Sequence, residues 1–268
     1  MMAFDESTWE SERLRHPFFG ESIGPERYAK VWDDAVEGYD DAGVGTLKKQ
    51  ILERLSEITG PDTDALDIGC GPGTYSIPLS EVCRSVVCLD GSGKMLDRIM
   101  QAKIPNITCI EADWNTYQTY SRFDLVFSSL CPALNNPAGL MKMESVSRGH
   151  CAYVSSMNDD SGSLHMDIWR SLGRDYTYNG YNTNYPFQHL KALGREPEME
   201  TFVTKKPYDL PLDEVEEKEI RSFSFFMNVD DRVRSAIHDT VQKHSDSGLV
   251  HYDGIKRLGL LIWKPVTS

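Results

Sequence analysis

The stretch Asp64-Ala65-Leu66-Asp67-Ile68-Gly69-Cys70-Gly71-Pro72-Gly73-Thr74 constrains the fold more than any other part of the chain. A short apolar run ends in an acid, and three glycines then fall on alternate positions. This reads as a buried strand entering a tight turn, with Cβ atoms absent where the backbone bends at positive φ or passes close to a ligand. Thr74 opens a helical stretch whose free N–H groups face back toward the turn. Strand, glycine turn and helix make a nucleotide-type binding corner of an α/β sheet.

Three kinds of ligand use such corners. A nucleoside-triphosphate loop needs Gly-Lys-Ser/Thr, but Gly73 is followed by Thr74 and Tyr75. A dinucleotide fingerprint needs G-x-G-x-x-G, and the third glycine position holds Thr74. What remains is G-x-G-x-G preceded by an acid. A second apolar run, Val86-Val87-Cys88-Leu89-Asp90, ends in an acid about 20 residues on, where a carboxylate can accept from both ribose hydroxyls. A third run, Ile107-Thr108-Cys109-Ile110-Glu111-Ala112, is followed by Asp113 and Trp114.

On these residues the chain resembles the class I S-adenosylmethionine-dependent methyltransferases, whose first motif is reproduced by residues 67–73. The resemblance implies a Rossmann-like, doubly wound sheet of seven strands, mostly parallel with the last strand antiparallel, and helices on both faces. It implies S-adenosyl-L-methionine as cofactor and S-adenosyl-L-homocysteine as product. The cofactor-binding positions it carries over are Asp67, Gly69, Cys70, Gly71, Gly73, Thr74, Asp90, Gly91, Met95, Asp113 and Trp114, together with Ser128 and Ser129 after the fourth strand and Tyr39 on an N-terminal helix. In that family the acid at the position of Asp113 accepts from the adenine amino group. No metal ligand set is expected.

Strands are expected at 64–68, 85–90, 107–112, 123–128 and 151–155, with helices at 74–82, 93–102 and 137–147 between them. Near-continuous apolar strands alternating with helices mean a parallel sheet covered on both faces, with ligands beyond the carboxyl ends of the strands. Upstream, Tyr28, Val31, Trp32, Ala35 and Tyr39 recur at helical spacing over 26–41, and a second helix spans 46–58. Residues 1–25 read as a flap or a loosely packed terminus with an aromatic cluster at His16-Pro17-Phe18-Phe19-Gly20. Downstream, 187–195 reads as a return helix, 200–204 as strand six and 257–263 as the last strand. The domain plan is 1–60, N-terminal flap and helices; 61–156, cofactor-binding core; 157–184 and 207–255, insertions on the ligand edge; 185–206 and 256–268, core. Acidic helices are expected near 212–226 and 230–244. The two insertions together suggest a cap over a small-molecule substrate.

The net charge of −13 disfavours a nucleic-acid backbone as partner. No apolar run approaches the roughly 20 residues that cross a membrane, and residues 1–12 lack a signal-peptide core. Six cysteines without a C-x-x-C pair suit a reduced, cytoplasmic protein. A homodimer is left open.

Methyl transfer from a sulfonium is an in-line displacement that needs no protein nucleophile, so catalytic residues are hard to read. The loop Ser128-Ser129-Leu130-Cys131-Pro132 lacks the Asn/Asp-Pro-Pro-aromatic signature of adenine and glutamine methyltransferases. His165 is the first candidate general base, with Tyr176 and His189 behind it. The competing readings are a catalytically silent cofactor-binding regulatory or partner protein and, more distantly, a nicotinamide oxidoreductase.

Overall fold

The protein is described from a computed structural model, which covers residues 5–20, 30, 32–34, 36, 45–157, 163–177 and 182–266. Its framework is a seven-stranded sheet in the order β3-β2-β1-β4-β5-β10-β6. The strands are β1 (Asp64–Ile68), β2 (Ser85–Asp90), β3 (Ile107–Glu111), β4 (Phe123–Ser129), β5 (Ser147–Ser156), β6 (Glu198–Lys205) and β10 (Ile255–Trp263). Neighbours from β3 through β5 pair in parallel, and β10 lies antiparallel between β5 and β6. The order reverses between β1 and β4, so the crevice beyond their carboxyl ends is the ligand edge. The expected strands and their directions are all present.

Because strand side chains alternate, the sheet has two apolar faces. Ala65, Val86, Cys88, Leu125, Phe127, Ala152 and Val154 point to one, where Leu47, Ile51 and Leu55 of α3 (Gly45–Ser56) and Leu96 and Ile99 of α5 (Gly93–Gln101) cover them. Between these helices in the chain lies α4 (Ser76–Ser80), shorter than the expected 74–82 because residues 71–75 stay in turns. Leu66, Ile68, Leu89, Val126, Cys151 and Tyr153 point to the other face, against α6 (Pro137–Ser145) and α8 (Asn184–Ala192).

The N-terminal terminus is better packed than the sequence suggested. Helix α1 (Glu6–Leu14) is capped by Asp5, whose carboxylate accepts from Ser7 N at 2.9 Å, and α2 (Pro17–Gly20) follows it. Trp9 is wholly buried in the second face, stacked on Tyr185 with ring centroids 6.2 Å apart. A single Trp among polar residues sets no periodicity, so only the tertiary contact reveals the helix. Of the helix expected over 26–41, Tyr28, Val31, Ala35 and Tyr39 lie outside the described residues.

A third apolar cluster unites the two insertions. It takes Leu164, Met166, Ile168 and Trp169 from α7 (Leu164–Ser171), Val215, Phe223 and Phe226 from α9 (Leu212–Phe226), and Val233, Ile237 and Val241 from α10 (Asp231–Lys243). The second insertion also forms a small antiparallel sheet of β7 (Tyr208–Pro211), β9 (Leu249–Tyr252) and β8 (Ser245–Asp246), which the helical reading of 207–255 missed. Its sequence signal is Ser247-Gly248, both at positive φ, the chemistry of a two-residue hairpin turn. Strands β5 and β6 run in the same direction, so both insertions leave the sheet at the ligand edge.

The opposite edge is tied by charge. Arg148 bridges Asp124 at 2.8 Å and Asp64 at 2.9 Å, and Arg84 also pairs with Asp64. These bonds hold the Asp64 carboxyl far below its ordinary range, chiefly through Arg84. On the second face, Glu144 of α6 is 7% exposed, takes a forked contact from Arg195 (2.6 Å to the nearest nitrogen) and accepts from Trp263 Nε1 at 3.1 Å. One carboxylate thus joins α6, the turn after α8 and the last strand. Glu144→Ala leaves the guanidinium and the indole N–H without their acceptor. It should cost about 3–5 kcal/mol, the scale for breaking a buried pair, and urea denaturation should show Glu144→Gln losing less.

Candidate functional site

The glycine turn after β1 is built on conformations that other residues avoid. Gly69, Gly71 and Gly73 have φ of 68°, 54° and 90°. A Cβ on Gly69 would stand 2.7 Å from Cys131 Sγ, and one on Gly73 would stand 2.9 Å from Ile99. The turn is hung from β2, since Gly69 N and Cys70 N donate to Leu89 O at 2.7 and 3.2 Å. Gly71 N donates to Asp90 Oδ2 at 2.8 Å, and Ser92 N donates to Asp90 Oδ1 at 2.9 Å. The backbone of Gly91 also hydrogen-bonds this carboxylate, so backbone donors take much of its acceptor capacity and the rest is open among the described residues.

Asp67 lies beneath the turn, 2% exposed, with Ser76 Oγ donating to it at 2.5 Å. Burial pushes its carboxyl up to about 7, with the nearby Asp90 charge adding to the shift. Burial also raises Asp90. No cation pairs with Asp67 or Asp90 among the described residues, whereas Asp64 and Asp124 at the far edge both have arginines. Acids that stabilise the sheet are paired, and those facing the crevice are left to donors of other kinds.

Past Asp90, Gly91 is exposed and Met95 is buried on α5, whose N-terminus is capped by Ser92 Oγ at 3.2 Å from Met95 N. Asp33, which the motif reading did not include, accepts from Ser92 Oγ at 2.6 Å and so brings the upstream segment to the same corner. After β3, Asp113 is exposed and its Oδ1 accepts from Asn115 N and Asn115 Nδ2, both at 2.9 Å. Its Oδ2 faces no hydrogen-bond donor among the described residues. Trp114 is buried at 3% exposure under Lys142.

The loop after β4 divides the two serines. Ser128 is fully buried and its hydroxyl donates to Ile68 O at 2.7 Å, so it fastens β4 to β1 and does not face the crevice. Ser129 is half-buried at the strand end. Leu130 then takes φ of 54°, which a bulky residue adopts only under constraint, and this bend brings Cys131 against Gly69. Burial drives the Cys131 thiol up to about 12, so it packs as an apolar group. Cys70 and Thr74 sit within the turn, buried and half-buried. Tyr39 lies outside the described residues.

His165, the first candidate general base, lies in the core of the insertions. Its Nδ1 meets Glu219 Oε2 at 2.6 Å, and its Nε2 receives Trp169 Nε1–H at 3.1 Å. An indole nitrogen only donates, so Nε2 must accept and Nδ1 must carry the proton toward Glu219. Both ring nitrogens are engaged inside the insertion core, packed on Phe223 at 4.8 Å between ring centroids. Tyr176 lies beside it, edge-on to Trp169 at 5.0 Å. His189 is buried at 2% exposure next to Trp9, its Nδ1 3.2 Å from Glu6. Spacing along the chain cannot distinguish a histidine locked in a core from one aimed at a substrate.

The glycine cradle, the spare acceptors on Asp90 and the open Asp113 oxygen fit a phosphate-free nucleoside with a ribose and an exocyclic amine. Residues 65–148 match the methyltransferase-domain family. An uncharacterized protein of Haemophilus influenzae is 34% identical over 86 residues, covering 30% of this chain and 31% of that one. The matched stretches span about a third of the curated relatives. Magnesium protoporphyrin IX methyltransferase from Synechocystis PCC 6803, solved with bound SAH, shares the fold at a TM-score of 0.53 and 15% identity, over 97% of this chain and 100% of that one. The complex of DhpI with SAM and HEP does so at 0.51 and 18%, over 65% and 91%.

Two outcomes test this account. Asp67 holds its proton to about pH 7 when folded but ionises near its ordinary 3.8 when unfolded. Its contribution to stability is complete below pH 4 and is lost as pH rises through 7. The unfolding free energy of Asp67→Asn, measured in urea, should therefore gain on the wild type between pH 4 and 7, by a few kcal/mol in order of magnitude. His165→Ala should destabilise by about 1.5–3 kcal/mol by removing a hydrogen-bond donor from the buried Glu219 carboxylate, with S-adenosylhomocysteine affinity unchanged by calorimetry.

Proposed function

From the match of residues 65–148 to the methyltransferase-domain family, we propose that this chain is a class I, S-adenosylmethionine-dependent methyltransferase that transfers a methyl group to a small-molecule acceptor. The observation that carries the reading is the hold of Gly71 and Ser92 on Asp90. Backbone donors from Gly71, Gly91 and Ser92 fix the carboxylate in place, and its remaining acceptor capacity suits ribose hydroxyls. Asp113 Oδ2 would take the adenine amine, and the glycine turn lets the backbone lie against the methionine and ribose portions. Among the remaining candidate contacts, Asp67 lies in β1 beneath the turn, Gly69, Cys70, Gly73 and Thr74 belong to the turn, Gly91, Trp114 and Ser129 to the strand ends around it, and Met95 to the first turn of α5. When bound, S-adenosylmethionine supplies an activated methyl group on a sulfonium.

The chain's own task is then to orient the acceptor and exclude water. The insertions support an enclosed acceptor, because their shared apolar core rises from the ligand edge. The proposed organisation is a core of residues 61–156, 185–206 and 256–268, a cap from 157–184 and 207–255, and an N-terminal segment, 1–60, laid against both. Trp32 supports this last placement, since it meets Phe225 of the cap edge-on at 6.2 Å. The net charge of −13 supports a metabolite over a nucleic acid. No helix among the described residues is long and apolar enough to cross a membrane, and all six cysteines are free thiols, which suits a cytoplasmic setting.

The engagement of His165 favours a second reading, a cofactor-binding partner without turnover. Labelled methyl transfer to a metabolite panel separates the two, since the partner protein binds the cofactor and yields no product. S-adenosylhomocysteine should raise the melting temperature while NADH leaves it unchanged. Asp90→Ala should lose roughly 1.5–3 kcal/mol of S-adenosylhomocysteine binding. Unaltered affinity in isothermal calorimetry would remove Asp90 from the site.

A further inference from the structure

The link between β3 and β4, residues 112–122, contains no helix or strand, yet it carries Asp113 and Trp114 at the ligand edge. Its internal bonds are few. Thr116 N and Tyr117 N donate to Asp113 O at 3.1 and 2.8 Å, and Asn115 closes the turn on Asp113 Oδ1. Ala112 N donates to Asp90 O of β2 at 2.9 Å, and further support comes from another element. Lys142, half-buried on α6, donates from Nζ to the carbonyl of Trp114 and, at 3.3 Å, to that of Asn115. The same ammonium stands 4.6 Å from the centre of the Trp114 ring. The indole N–H is buried and has no acceptor among the described residues, so the ring is held by packing and by the cation over its face.

We propose that Lys142 is a positioning residue for adenine recognition: by clamping two consecutive carbonyls and the Trp114 ring, it holds the Asp113 carboxylate where its Oδ2 meets an exocyclic amine. This rests on the cofactor reading given above. A lysine suits the task because its compact ammonium has three donors on a flexible stem and can serve two carbonyls and a ring face together. The carboxylate uses Oδ1 on the turn and presents Oδ2, so a turn that swings would lose recognition of the amine before it lost the ribose contact at Asp90.

The test compares S-adenosylhomocysteine with S-inosylhomocysteine, in which a carbonyl replaces the amine. Titration calorimetry on the full chain should show the wild type preferring the adenosyl form by roughly tenfold or more, because a site built to accept from an amine rejects the analogue that lacks it. Lys142→Met keeps the stem on Trp114 and removes the donors. It should bring the preference close to unity by weakening the adenosyl form, and Asp113→Asn should do the same with little further loss in the double variant. An unchanged preference in Lys142→Met, or equal weakening of both ligands, overturns the proposal by showing a merely structural role. Lys142→Arg retains the charge and should keep part of the preference, which preserves the test if the methionine variant folds poorly. Failure of the wild type to bind S-adenosylhomocysteine at all would instead remove the cofactor reading itself.

Discussion

The contact on which the rest of the structure depends is the one from Gly71 N to the Asp90 carboxylate at 2.8 Å. It joins the end of β2 to the turn that leaves β1, and it forms only because Gly71 reaches a left-handed conformation. The same turn places Gly69 under Cys131, so the β4 loop seats against it. A charged acceptor on a backbone N–H is among the stronger hydrogen bonds available to a chain. Here it is partly buried, with no cation to neutralise it among the described residues. The carboxylate is therefore stabilised by donors while keeping capacity for more. This arrangement costs stability and makes sense at a binding edge.

The distribution of charge across the sheet follows the same logic. At the amino ends of β1 and β4, carboxylates are matched by Arg84 and Arg148. At the carboxyl ends they are matched by backbone N–H groups and hydroxyls. Glu144 works inside the second face, where one acceptor serves a guanidinium and an indole. The acids at the amino ends have arginines, whereas Asp67 and Asp90 have no cation paired with them among the described residues. This contrast, more than any one distance, marks which end of the molecule takes a ligand.

The insertions add a third apolar core that the sheet does not require. His165, Glu219 and Trp169 form a closed polar chain inside it, with every donor facing an acceptor. Such a chain specifies how α7 and α9 meet and occupies both ring nitrogens of His165. If methyl transfer needs no base, as an in-line displacement from a sulfonium permits, a cap that only shapes and dries the acceptor site is sufficient.

The sequence by itself determined the core strands, their parallel run and the corner, because strand periodicity, glycine placement and acids at strand ends are local consequences of backbone sterics and hydrogen bonding; the order of the strands in the sheet came only with the tertiary structure. Helices near 212–226 and 230–244 were legible for the same reason. It did not determine Trp9 as a core anchor, the small sheet of the second insertion, the inward hydroxyl of Ser128 or the locked state of His165. Each of these depends on which groups distant in the chain arrive beside it. A histidine's role is set by what occupies its two nitrogens, and here Glu219, 54 residues away, occupies one of them. Lys142 carries no motif at all, and its meaning appears only when α6 brings its ammonium against the carbonyls of Trp114 and Asn115.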